Sequence, residues 1–214
     1  GIYNVPIIPT SFSYTIDGAV LDPVITDTSF GKMYPPTRNI TSASYTILGQ
    51  EYGNGLYEIS ASTEYNNDHR VLNLFNLNTT GYAGLANQYL LGVYNQNNYI
   101  IENYKGDWIK IKLPYSIILT KYRFKQLNVA LDRSPGKYII YGSNNDIDWE
   151  ILVNKTEKIT YNSFIFEENV NINKKYQYFS VVVNELLGNV DILHLEEWYI
   201  YGKEEYVYEN IIDN

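Results

Sequence analysis

The chain contains no cysteine, which excludes a disulfide framework and any thiolate metal centre. It does not exclude secretion, because a domain of this size can be secreted without bridges. Only two histidines occur, His69 and His194, too few for a His-rich zinc site. Basic residues are in deficit: 16 Lys and Arg stand against 24 Asp and Glu, for a net charge of −8. A face able to neutralise phosphates is therefore not expected, and neither is a nucleic-acid partner. No apolar run approaches the roughly 20 residues that span a bilayer. The opening GIYNVPIIPT has neither the basic n-region nor the apolar h-region of a signal peptide. With Gly1 in place of Met, a processed or excerpted chain is expected.

Helix signals are also scarce. No stretch of about 11 residues sustains an i, i+3, i+4, i+7 apolar pattern, and only GLANQYLLG (84–92) is expected to form a short helix. Catalytic signatures are missing: there is no Gly-x-Ser-x-Gly elbow, Walker loop or His-Glu-x-x-His. Glu196 and Glu197 are neighbours on an expected strand and point to opposite faces, so they cannot act as a pair. No enzymatic activity is expected.

What the chain has is strand. Of its 214 residues 45% are hydrophobic and 15% aromatic, with 23 tyrosines, which supports a substantial core and leaves tyrosine to spare for the surface. Short runs rich in Ile, Val, Tyr and Thr are separated by Gly, Asn, Asp and Pro clusters. The expected strands are SYTIL (44–48), YEISAS (57–62), NYII (98–101), DWIKIKL (107–113), ITKYRFKQL from near 118, GKYIIYGS (136–143), WEILV (149–153), NSFIFEE (162–168), YQYFSVVVNEL (176–186) and HLEEWYIYGK (194–203). Ile109, Ile111 and Leu113 share one face and Lys110 and Lys112 the other; Tyr122 and Phe124 oppose Lys121, Arg123 and Lys125. A strand with one apolar and one charged face belongs to a sheet covered on one side, and two such sheets make a sandwich. Trp108 and Trp198 are expected as core anchors. Five of the seven prolines fall in residues 1–40, which are expected to form an extended arm or linker. The sandwich is expected over 41–204 and a tail over 205–214.

Five runs in order, GDWIKIKLP (106–114), ITKYRF, GKYIIYGSNNDIDWEIL (136–152), YQYFSVVV (176–183) and LEEWYIYG (195–202), resemble the discoidin or coagulation-factor five-eight type C domains, over about residues 42–203. The resemblance implies an all-β, antiparallel, galactose-binding-like jelly-roll sandwich. It makes SNNDID (143–148) a turn between two strands, with Asn145-Asp146 in place of the usual Asp-Gly and Trp149 packed beneath it. The family's common cysteine pair is absent, and Asn76 in VLNLFNLNTTGY stands where Asp is usual.

The resemblance also implies two sites. A structural calcium ion would fall on Asn76, Asn78, Thr80 and Glu197, since calcium takes about six to eight oxygens and carbonyls can supply most of them. Ligands would be met by loops at one sandwich end: 63–70, 81–98, 132–137 and 185–190. There Tyr65, Asn67, Asp68, His69 and Arg70 combine an aromatic platform with planar hydrogen-bonding groups, a mixture that suits a sugar, and Arg133 could converge on them. The paired leucines of GLANQYLLG and ELLGNV have no basic rim, so membrane insertion is not expected. The basic stripe Lys110, Lys112, Lys121, Arg123 and Lys125 reads as the solvated side of a sheet. Asn39, Asn78 and Asn154 form Asn-x-Ser/Thr acceptors.

The expected function is a non-catalytic module, extracellular or on a cell or virion surface, that recognises glycans or a glycan-bearing surface. The alternative is an assembly role, such as a virion surface or fibre component, in which residues 1–40 and tyrosine-rich faces contact other copies. A third reading is an appendage cut from a larger glycosidase.

Overall fold

The computed structural model describes residues 31–35, 57–76, 79–161 and 163–204, together with the strand backbones at 15–16, 19–20 and 46–47. In chain order the strands are β1 (Thr15–Ile16), β2 (Ala19–Val20), β3 (Lys32–Tyr34), β4 (Thr46–Ile47), β5 (Tyr57–Ala61), β6 (Tyr82–Ala83), β7 (Tyr89–Leu90) and β8 (Val93–Tyr94). They continue as β9 (Asp107–Lys125), β10 (Pro135–Ser143), β11 (Glu150–Lys155), β12 (Ile165–Asn169), β13 (Tyr176–Leu186), β14 (His194–Leu195) and β15 (Glu197–Lys203). Among the described residues two short 3₁₀ turns, Val71–Phe75 and Leu131–Arg133, interrupt them.

The long strand β9 joins the two layers. Its first half lies between β5 and β13 in the larger layer, ordered β11-β10-β13-β9-β5-β4. Its second half lies between β12 and β15 in the smaller layer, whose far edge is β3. All these pairings are antiparallel. The expected strands 107–113 and 118 onward are therefore one continuous strand. Lys32–Tyr34, inside the region expected as an arm, forms an edge strand of the sandwich.

The alternation of β9 explains how it serves both layers. Ile109, Ile111, Leu113, Ile117 and Leu119 are buried, and then Tyr122 and Phe124. The inward set changes from odd to even numbers where β9 slips one residue against β15, between the partners of Tyr201 and Gly202. An extra residue at such a bulge turns every following side chain to the opposite face. Inside, Phe124 meets Tyr138 at 5.3 Å between ring centres and Trp198 at 6.3 Å. The Tyr122 and Tyr138 hydroxyls lie 2.8 Å apart.

Tyrosine does more of the core's work than composition suggested. Tyr34, Tyr57, Tyr82, Tyr89, Tyr94, Tyr122, Tyr138, Tyr141 and Tyr176 are all buried. Several keep the hydroxyl satisfied at a core edge, as a buried phenol requires: Tyr82 donates to the Thr63 carbonyl (2.9 Å) and Tyr89 to that of Val183 (3.1 Å).

Three other expectations change. GLANQYLLG is not a helix: β7 and β8 form a hairpin there, with Asn87, Leu91 and Gly92 at positive φ. NYII carries only an isolated bridge, Tyr99 to Lys105. Trp108 is not in the main core; it packs with Ile100, Ile101, Tyr104 and Trp149 over Ile139, Tyr141 and Val182, a second cluster on the outer face of the larger layer. The turn SNNDID is held by its own side chains, since Asn145 Oδ1 accepts from the Ile147 and Asp148 amides and Ser143 Oγ from that of Asp146.

Candidate functional site

One end of the sandwich is closed by loops that are tied to one another. The amides of Gln88 and Tyr89 donate to the Asp191 carbonyl, Gly92 to Val190, Leu187 to Ser134 and Gly188 to Asp132. A Cβ on Gly92 would stand 2.2 Å from the Gly188 carbonyl oxygen, and one on Gly188 would stand 2.4 Å from the Asp132 Cβ. These close approaches lock the 85–94 hairpin, the 131–134 turn and the 186–191 loop together without side chains between them.

Beneath the loops sits Asp107, the first residue of β9 and fully buried. Its Oδ1 accepts from the hydroxyls of Ser62 (2.9 Å) and Thr63 (3.2 Å), and Thr63 Oγ1 in turn accepts from the Leu85 amide (3.0 Å). One carboxylate thus staples the 62–70 loop to the 84–94 segment. Burial pushes the Asp107 carboxyl up to about 6, against the opposing pull of the two hydroxyls.

On this base the 62–70 loop is shaped by Asn66, whose Oδ1 accepts from the amides of Asp68 (2.9 Å) and His69 (3.1 Å), an Asx turn. The same oxygen lies 2.9 Å from His69 Nδ1, which donates to it. The His69 ring is set edge-on between two others: Tyr65 at 5.9 Å and His194 at 5.6 Å, both near perpendicular. Tyr65 is half exposed and His194 buried, so the three rings run from the surface inward. His194 lies in β14, which pairs with β6 and brings it beside Ala83; its Nε2 is 3.3 Å from the Thr80 carbonyl. Burial lowers the His194 pKa, against the opposing pull of its hydrogen bond to the Thr80 carbonyl. The ring is neutral at pH 7.

The expected ligand residues fall as follows. Tyr65 and His69 touch, and Arg133 lies on the turn locked to Gly188. Arg70 donates to Asn67 Oδ1 at 2.6 Å. Asp68 is exposed, and its carbonyl accepts from Asn73 Nδ2. The residue that sequence reasoning missed is His194. Being one of only two histidines was its only signal, because the pairing that brings it to His69 is long-range.

For the expected cation site, Asn76 and Glu197 are buried and Thr80 is half-buried, while Asn78 lies outside the described residues. Asn76 Nδ2 donates to Asn73 Oδ1 (3.1 Å). The Phe75 and Trp198 rings pack at 6.0 Å, so the 71–75 turn rests on the strand that Glu197 opens. Among the described residues no group of three or more His, Cys, Asp or Glu could hold a metal ion.

The basic stripe is answered by carboxylates: Lys110 by Asp146, Lys112 by Glu58, Arg123 by Glu167 and Lys125 by Glu196, with Lys121 over the Tyr201 ring. Of the paired leucines, Leu90 and Leu91 are exposed and Leu186 is buried. Among the described residues no helix is long and apolar enough to cross a membrane.

No family model matches the chain, and no curated protein matches it. Solved structures do. A family 32 carbohydrate-binding module, CBM32-3 of a family 31 glycoside hydrolase from Clostridium perfringens, aligns with a TM-score of 0.53 at 16% identity, over 74% of this chain and 96% of that one. The C-terminal domain of a chitobiase from Bacteroides fragilis aligns at 0.52 and 14% identity, over 70% and 95%. The fold is a galactose-binding-like jelly-roll sandwich. A third likeness, TM-score 0.50 at 13% identity over 68% and 94%, is to CpGH89CBM32-5 of Clostridium perfringens, solved in complex with GalNAc-β-1,3-galactose. Within this jelly roll, Tyr65, His69, His194 and Arg133 occupy the loop end, and the two sheets beneath them hold the loops that carry them.

Proposed function

We propose that this domain is a non-catalytic carbohydrate-binding module, acting outside the cell or at a surface, whose ligand is met by Tyr65, Asn67, Asp68, His69, Arg70 and Arg133 over a floor formed by His194. The observation that carries this reading is the chain of perpendicular rings Tyr65–His69–His194, at the loop end that the Arg133 turn helps to close. Sugars present hydroxyls on one side and C–H patches on another, and a half-exposed tyrosine beside imidazole and guanidinium groups meets both. A neutral His194 supports it further, because an uncharged floor does not demand an anion. The modules of similar fold add substrate class by analogy: one holds GalNAc-β-1,3-galactose, and another, from Paenibacillus sp. IK-5, is chitosan-binding.

In the same reading a structural calcium ion would be held by the Glu197 carboxylate with oxygens of Asn76, Thr80 and Asn78. The buried carboxylate and the packing of Phe75 on Trp198 support that placement. Calcium there would fix the 71–80 segment against the last strand.

The test is glycan-array binding by the wild-type domain and an Arg70→Ala/Arg133→Ala double variant, with calcium present and with chelator. Wild-type binding to one glycan class, lost in the double variant, is expected. Absence of binding to every glycan by folded wild-type protein with calcium present would sink the proposal.

A further inference from the structure

We infer that a groove on the outer face of the larger layer is a second saccharide site, specific for neutral sugars. The inference extends the carbohydrate-binding reading but rests on different residues, so the two can fail separately.

The groove follows from strand register. Glu58 of β5 lies opposite Lys112 of β9, which lies opposite Tyr178 of β13; one step along, Ser60 lies opposite Lys110. Alternation puts these side chains on the face turned away from the core. The turn between β10 and β11 then overhangs them. Asp146, at φ 61°, brings both carboxylate oxygens to 2.8 Å from Lys110 Nζ. The result is a half-open depression of about 260 Å³ lined by Glu58, Ile59, Ser60, Lys110, Lys112, Asp146 and Tyr178. The opposite wall is the pair Lys112–Glu58 at 2.9 Å, with the Lys112 ammonium 5.5 Å from the Tyr178 ring centre. Trp149 meets the Tyr178 ring edge-on at 6.4 Å and fixes its orientation.

The chemistry selects the ligand class. Two carboxylates and two ammonium groups balance, so an anionic ligand would face Glu58 and Asp146 and a cationic one both lysines. A hydroxyl both donates and accepts, so a vicinal diol can bridge the carboxylate and the ammonium of one pair without disturbing the balance. Partly exposed ion pairs contribute little to stability, so admitting hydroxyls between their partners costs little. The Tyr178 ring supplies a surface for the C–H side of a sugar. Asp146 comes from the SNNDID turn, which therefore serves both as a strand connection and as the rim of the groove.

The test is an amide NMR titration of the whole domain with galactose, N-acetylgalactosamine, GalNAc-β-1,3-galactose and chito-oligosaccharides, repeated on Tyr178→Ala, Asp146→Asn and His69→Ala. The expected result is saturable shifts at Ser60, Lys110, Lys112, Asp146 and Tyr178. Tyr178→Ala and Asp146→Asn should weaken these by about tenfold or more, while His69→Ala leaves them unchanged. Asp146→Asn, in an exposed turn, answers the question if Tyr178→Ala fails to fold. Shifts confined to Tyr65, His69 and Arg133 would overturn the groove and leave the loop-end site standing. Shifts confined to the groove would support it and overturn the loop-end site. No shift with any sugar would overturn both.

Discussion

Replacing Asp107 with Asn should abolish a specific pH dependence of stability. Asp107 is fully buried, one oxygen is held by two hydroxyls, and Oδ2 has no hydrogen-bond partner among the described residues. Burial raises its pKa from the ordinary 3.8 to about 6. A raised carboxyl pKa means that the native state binds the proton more tightly than the unfolded chain between those values. The stability it confers is fully present below pH 3.8 and is lost as pH rises through about 6. Two units at about 1.4 kcal/mol each give a loss of roughly 3 kcal/mol between pH 4 and pH 7. Asn keeps an acceptor for Ser62 and Thr63 and cannot ionise. Urea denaturation of both proteins from pH 4 to pH 8 should show the wild-type unfolding free energy falling by about 3 kcal/mol relative to Asp107→Asn across that window. Parallel profiles would refute the argument, because no differential proton would then be bound at this position.

Other expectations are as direct. Trp198→Ala removes a fully packed ring between Phe75 and Phe124 and should cost about 3–5 kcal/mol in denaturant unfolding; a loss under about 1 kcal/mol would deny it the central place in the core. The Lys110–Asp146 pair is partly exposed, so a double-mutant cycle with Lys110→Ala and Asp146→Ala should give a coupling of at most about 1 kcal/mol. A larger value would mark the turn as a strong clamp on the sheet. Calcium should raise the thermal midpoint over that in chelator, and Glu197→Gln should remove the difference; equal midpoints for the wild type would dismiss the proposed ion.

Much of the fold could be read from the chain because β9 writes its two faces plainly. Lysine at every second position of WIKIKL leaves no other register, and Tyr122 and Phe124 repeat the pattern in the second layer. The same parity placed Trp108 with Lys110 and Lys112 on the outer face; reading it as a core anchor gave hydrophobicity more weight than alternation. The hairpin at 89–94 was hidden because Leu85, Leu90 and Leu91 can be fitted to a helix, and what decides against one is tertiary. The Asp191 carbonyl takes the amides of Gln88 and Tyr89, and Gly92 packs against Gly188. The number of tyrosines pointed to the surface, whereas the core accepts them by leading several of the hydroxyls to a carbonyl, a carboxylate or another tyrosine. At the loop end, Tyr65 to Arg70 stood out because aromatic, amide and basic groups crowd six positions. The partner of His69 did not, because only the pairing of His194 with Ala83 brings the second ring across.

The most direct measurement of the central claim is titration calorimetry of the wild type, Tyr65→Ala and His69→Ala with the glycan class that the domain selects. If sugar rests on the three-ring edge, each substitution weakens binding by about tenfold or more while the unfolding free energy stays within about 0.5 kcal/mol of wild type. Undiminished affinity in both variants would contradict it.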